Sequence, residues 1–65
     1  MRLLLRDPAY TDRLAAFLRS VGQQPIVSAP DHVEVGEVER DELEVYLGVW
    51  RVLYPGAEVV INLAP

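Results

Sequence analysis

The run Asp41-Glu42-Leu43-Glu44-Val45-Tyr46-Leu47-Gly48-Val49-Trp50-Arg51-Val52-Leu53-Tyr54 limits what this chain can become more than any other segment. Wound at roughly 100° per residue, it sets Leu43, Tyr46, Leu47, Trp50, Leu53 and Tyr54 in one arc, the core stripe of an amphipathic helix. Val45, Val49 and Val52 form a second apolar stripe beside it, while Arg40, Asp41, Glu44 and Arg51 keep the remaining side wet. β-Branched residues gain nothing as exposed helix positions. Two apolar stripes on one short helix require two covers, and few residues remain elsewhere to supply the second. The spare stripe therefore predicts a partner chain, the alternatives being a helix seated deeper in the core or the tail Leu63-Ala64-Pro65 folded over it.

Length makes that expectation sharper. Sixty-five residues form one domain, spanning 1–65, in the size range where a single hydrophobic core is only marginally sufficient. Small domains compensate with disulfides, a metal or an oligomeric partner. Cysteine is absent, which removes disulfides and thiolate ligands, and His32 is the only histidine. A zinc site would have to be built largely from carboxylates, a poor donor set for that ion. No cofactor is expected, and association remains as the support.

The formal charge is −4, from ten acidic and six basic residues, and every basic residue is arginine. Lysine avoidance beside abundant Ala, Val, Leu, Gly and Pro reads as the imprint of a G+C-rich, bacterial genome. An acidic chain without a basic block is a poor nucleic-acid binder. No apolar run approaches the length of a membrane span. Met1-Arg2-Leu3-Leu4-Leu5-Arg6 has too short an apolar stretch for a secretion signal. A cytoplasmic protein is expected.

Met1 to Arg6 reads as a strand. Asp7-Pro8 then starts a helix, with Asp capping free amides and Pro losing nothing at the first helical position. The helix is expected to run to Val21 and stop at Gly22. Its stripe is Tyr10, Leu14, Phe17, Leu18 and Val21, with Asp12, Arg13, Arg19 and Ser20 in water: one face only. Pro25 to Ser28 and the alternating His32-Val33-Glu34-Val35-Gly36 read as two strands of a hairpin, turned at Ala29-Pro30-Asp31. The second helix begins between Glu39 and Glu42, where Asp41 with Glu44 resembles a capping box, and Pro55-Gly56 ends it. Glu58 to Leu63 is the last strand.

The order β-α-β-β-α-β, with right-handed crossovers, puts both helices on one face of a four-stranded antiparallel sheet. This is an α+β, ferredoxin-like arrangement with the first and third strands central. Leu3, Leu5, Val33, Val35, Val59, Ile61 and Leu63 then point at the helices. The open face shows Arg2, Leu4, Arg6, His32, Glu34, Glu58, Val60 and Asn62, with Leu4 and Val60 as neighbours and a second candidate contact surface.

Catalytic chemistry finds few parts. Thr11, Ser20 and Ser28 supply the serine and threonine hydroxyls, and His32 is the only usual base; Ser28 and His32 would flank the hairpin turn, with no third residue obviously placed to orient the imidazole. Glu37, Glu39, Asp41, Glu42 and Glu44 form an acidic run, but the ligand ladder of a calcium loop is missing and the positive end of the helix already explains the charge. Asp31, His32 and Glu34 are a weak metal set. The four glycines are isolated, so no phosphate loop forms, and the open sheet lacks the aromatic platforms of an RNA reader.

Arg6-Asp7-Pro8, followed by Leu14, Leu18 and Gly22 leading into Pro25-Ile26, resembles the ACT-type regulatory domains over about the first 36 residues. Those domains carry an Asp-x-Pro-Gly turn after the first strand, whereas here the turn is Asp7-Pro8-Ala9. The resemblance implies amino-acid sensing at a dimer interface, with Asp7 and Tyr10 near the ligand. The segment from Leu43-Glu44-Val45-Tyr46-Leu47 through Trp50 to Tyr54-Pro55-Gly56 is similar to short proteins of G+C-rich bacteria, a likeness that implies no activity. Taken together, the residues predict a non-catalytic interaction module, a homo-oligomer or a docking partner of another protein. Neither nucleic acid nor membrane is among the expected partners.

Overall fold

The structure, a computed structural model, describes residues 1–36 and 38–62. Four strands, β1 (Arg2–Leu5), β2 (Pro25–Ala29), β3 (His32–Val35) and β4 (Val59–Asn62), form one sheet in the order β2-β3-β1-β4. That order makes the first and third strands central, and every adjacent pair is antiparallel. Helix α1 (Thr11–Ser20) joins β1 to β2, and α2 (Arg40–Leu53) joins β3 to β4. The fold is α+β, a four-stranded antiparallel sheet with two helices.

Alternation decides which face is buried. Leu3, Leu5, Val33, Val35 and Val59 share a single core cluster with Leu14 and Leu18 of α1 and Leu43, Leu47 and Trp50 of α2. Odd-numbered strand residues thus meet both helices on the same side, as the alternation predicts. Ile61 packs at the margin, half-buried, and Leu63 lies outside the described residues.

The first helix opens as anticipated, but through a different geometry. Pro8–Tyr10 is a 3₁₀ turn, and the α-helix proper starts at Thr11. Asp7 Oδ1 accepts a hydrogen bond from the Ala9 amide at 3.0 Å, satisfying one of the orphan donors at a helix start. At the other end Gly22 adopts φ +87°, and its amide donates to Arg19 O at 3.1 Å. Only glycine takes that backbone geometry without strain.

Thr11 is buried, and its hydroxyl donates to Pro30 O at 2.6 Å. The same hairpin turn holds β1 through a bond from the Leu5 amide to Asp31 O at 2.8 Å. Helix start, first strand and hairpin tip are therefore tied at one corner. The pairing of β2 with β3 slips between Val27 and Ala29, leaving Ser28 opposite no partner in a bulge.

Two expectations about α2 fail. Glu39, not Asp41, is its N-cap, and no side chain caps it; Glu44 instead accepts from Arg40 Nε at 3.3 Å, one turn along. Leu53 is not in the core. The chain turns at Tyr54-Pro55, so the Tyr54 ring packs against Trp50 at a centroid distance of 4.5 Å while Leu53 stays 57% exposed. Trp50 anchors the helix: wholly buried, it donates from Nε1 to Ala57 O at 3.0 Å and stacks obliquely on Phe17 of α1 at 5.6 Å.

Candidate interaction surface

The buried residues of α2 are Leu43, Leu47 and Trp50. Measured around the helix axis, their centre lies roughly 160° from the centre of Val45, Val49 and Val52. The valine stripe is therefore not beside the core stripe but opposite it. Tyr46 and Leu53, expected in the core arc, occupy the shoulder between them and leave the true core arc narrower. Val45 is 65% exposed, Val49 50% and Val52 80%. Being on the outward side, these residues cannot be buried by a deeper seating of α2 on the sheet. The C-terminal segment Leu63-Ala64-Pro65, the other cover the sequence offers, lies outside the described residues.

Polar groups border the ridge unequally. On the flank toward α1, Tyr46 donates its hydroxyl to Glu42 Oε1 at 2.8 Å, and this bond, with burial and the Glu42 charge, raises the Tyr46 pKa above the ordinary tyrosine value of 10.0 despite an opposing contact from Gln23. On the flank toward β4 lie Arg40, Glu44 and Arg51, which line a shallow hollow together with Glu58 and Val59 to Ile61. Arg40 is spoken for by Glu44, whereas Arg51 has no ion pair among the described residues.

The open sheet face is mixed rather than apolar. Leu4 pairs directly with Val60 on β4 and with His32 on β3, so the expected neighbours do meet. Charge surrounds them: Arg2 Nη2 lies 2.9 Å from Glu34 Oε1, and Arg6 Nη1 lies 2.8 Å from Glu58 Oε2. Ile26, absent from the expected list, is also exposed on this face, in register with Glu34. The signal for it is the hairpin register, which sets Ile26 across from Glu34, a residue already assigned to the open face by alternation. These apolar groups are interrupted by exposed ion pairs, each of which stabilises little but keeps the face hydrated.

The catalytic pieces do not assemble. Asp31 Oδ1 sits 2.5 Å from His32 Nδ1, so the imidazole does have an orienting carboxylate, supplied by its neighbour in sequence. Ser28, in the bulge, makes no hydrogen bond to that ring, and the Thr11 hydroxyl is committed to Pro30 O. Ser20 Oγ donates to Phe17 O at 2.6 Å within its own helix. Among the described residues, no three His, Cys, Asp or Glu side chains come together as a metal-binding group, and Glu37 of the acidic run lies outside them.

Asp7 and Tyr10, the residues implied by the regulatory-domain resemblance, both have structural employment. The Asp7 carboxylate turns back onto the Ala9 amide. The Tyr10 ring meets Tyr54 edge-on at 6.0 Å and lies under the Arg13 guanidinium at 5.5 Å. A shallow hollow beside Asp7 is lined by Arg6, Arg51 and Glu58 with Pro55, Gly56 and Ala57, and Tyr10 does not contribute to it. Among the described residues, no helix is long and apolar enough to cross a membrane. Set against protein-family models, curated proteins and solved structures, the chain matches none of them.

Proposed function

We propose that this chain is a non-catalytic, cytoplasmic interaction module that pairs with a second copy of itself through the outward face of α2. The observation that carries the reading is the ridge of Val45, Val49 and Val52, 50–80% exposed, on the side of the helix that faces away from the rest of the described residues. An isologous contact presents this ridge to itself, apolar against apolar, and covers both copies in one step. It also supplies burial that a 65-residue, cysteine-free chain lacks. The ferredoxin-like assignment belongs to the same reading: strand order β2-β3-β1-β4, with a helix in each of two crossovers, supports it.

Few side chains form the ridge, far fewer than the roughly 20–30 residues a side of a standard interface. The dimer is accordingly a weak one, with a dissociation constant of about tens to hundreds of micromolar. Sedimentation velocity over a concentration series tests this directly. The wild type should shift from monomer to dimer across that range, and Val49→Glu should remain monomeric with its circular dichroism unchanged. A wild type that stays monomeric at the highest concentration, or a Val49→Glu variant that dimerises equally well, overturns the reading; the first result leaves docking to a different protein as the use of the ridge.

A further inference from the structure

Nothing among the described residues accounts for Gly48. It lies in the interior of α2, where glycine weakens a helix relative to alanine. Its backbone is not in the left-handed region, and a Cβ placed there would meet nothing within 4 Å. Yet its position is particular. Val45, Gly48, Val49 and Val52 follow the spacing i, i+3, i+4, i+7, so the glycine is a notch midway along the outward valine ridge. A notch at that point lets a second backbone approach more closely than any side chain would allow.

The charges beside the ridge give the direction of the second helix. Glu44 and Arg51 sit on one flank of α2, four residues before Gly48 and three after it. At a rise of about 1.5 Å per residue, they stand roughly 6 Å and 4.5 Å from the notch on opposite sides. A two-fold axis through the notch, normal to the helices, brings one copy's Arg51 level with the partner's Glu44 to within roughly 1.5 Å along the axis, and repeats the match by symmetry. The valines interleave in the same operation, Val45 against the partner's Val52. A parallel copy would instead set this flank against the partner's opposite flank, that of Tyr46 and Leu53, where Arg51 meets no carboxylate at its level. Arg51 is free to make the new pair, since it has no ion pair among the described residues, and Glu44, whose Oε1 accepts from Arg40 of its own helix, has its second carboxylate oxygen to offer.

We propose that two copies pair antiparallel through α2, crossing at Gly48, with each Arg51 reaching the partner's Glu44. This rests on the self-association reading above and specifies its geometry. The test is sedimentation equilibrium on five proteins: wild type, Gly48→Leu, Glu44→Arg, Arg51→Glu, and the double variant Glu44→Arg/Arg51→Glu. Gly48→Leu should weaken dimerisation at least ~10-fold, by filling the notch, while helical content is kept or raised. Each single charge reversal should weaken it roughly 3- to 10-fold, and the double variant should return to within about twofold of wild type.

Dimerisation of Gly48→Leu as strong as that of wild type, or a double variant no better than the weaker single variant, overturns the proposal. Where the wild type dimerises and Val49→Glu does not, that result removes only the antiparallel crossing and leaves self-association standing. A monomeric wild type removes both.

Discussion

The two helices face the same core and differ on their backs. α1 buries Leu14, Ala15 and Leu18 and turns Asp12, Arg13, Ala16, Arg19 and Ser20 to solvent. α2 buries Leu43, Leu47 and Trp50 with the same economy, but its solvent side carries Val45, Val49 and Val52. The inward faces show how the sheet is covered; only the outward faces distinguish a helix that has finished folding from one with a further contact to make. Their ends differ in a parallel way. α1 is preceded by a turn that the Asp7 carboxylate caps, whereas the α2 N-cap, Glu39, contributes no side-chain bond.

The comparison breaks first at the core, where both helices should be equally intolerant. Trp50→Ala removes a fully buried ring and its bond to Ala57 O, and should cost about 3–5 kcal/mol; Leu18→Ala should cost about 2–5 kcal/mol. Either loss is comparable with the whole stability of a domain this small, so urea titrations should find both variants largely unfolded. A Trp50→Ala protein that melts like wild type would remove α2 as the anchor of the core.

Next in size is the corner that α1 shares with the hairpin. Thr11→Val leaves the Pro30 carbonyl without its hydroxyl donor and should lower stability by about 1–2 kcal/mol in denaturant titration. The caps follow. Asp7→Ala should cost about 1 kcal/mol and Glu39→Ala less than about 0.5 kcal/mol, because only the first has a bond to lose. Equal effects at the two positions would erase that difference between the helices.

Smaller still is the cost of giving α2 the back of α1. The triple variant Val45→Arg/Val49→Glu/Val52→Arg should change monomer stability by no more than about 0.5 kcal/mol, because these side chains touch little and the replacements favour helix. Melts at low protein concentration read this term without the contribution of pairing. A large loss would mean that the ridge supports the protomer itself.

The smallest effect is in pH. The Glu42 bond raises the Tyr46 pKa, so the neutral hydroxyl is favoured in the folded chain. That contribution is complete below the ordinary tyrosine pKa of 10.0 and is lost as pH rises through the higher folded value. In tyrosinate absorbance, Glu42→Gln should bring the ionisation of Tyr46 to lower pH than in wild type.

Much of this architecture is visible in local signals, because they agree with one another. Asp7-Pro8, Gly22 and Pro55-Gly56 mark element ends through backbone chemistry that does not depend on the rest of the fold. Alternation in β3 sorted the inner from the outer face, and the Leu4–Val60 pairing followed from register. What escaped depended on three dimensions. Leu53 has the periodicity of a core residue, but the turn at Tyr54-Pro55 ends the covering layer before reaching it. Thr11 reads as an ordinary helix hydroxyl until the hairpin tip arrives beside it. The valine stripe is visible in the sequence but its direction is not, because Tyr46 and Leu53 widen the apparent core arc toward it. Gly48 reads as one isolated glycine among four until its i+3, i−1 and i−4 spacing to Val45, Val49 and Val52 is set on the helix.

The burial of Trp50 has a spectroscopic consequence. As the sole tryptophan, packed between Phe17 and Tyr54 with its indole N–H on Ala57 O, it senses the interior of one protomer and faces away from the valine ridge. Its emission should stay blue-shifted from monomer to dimer and move to the red only when the core opens. Fluorescence and hydrodynamic radius thereby become separate channels on the same sample, one reading whether the chain is folded and the other whether it has company.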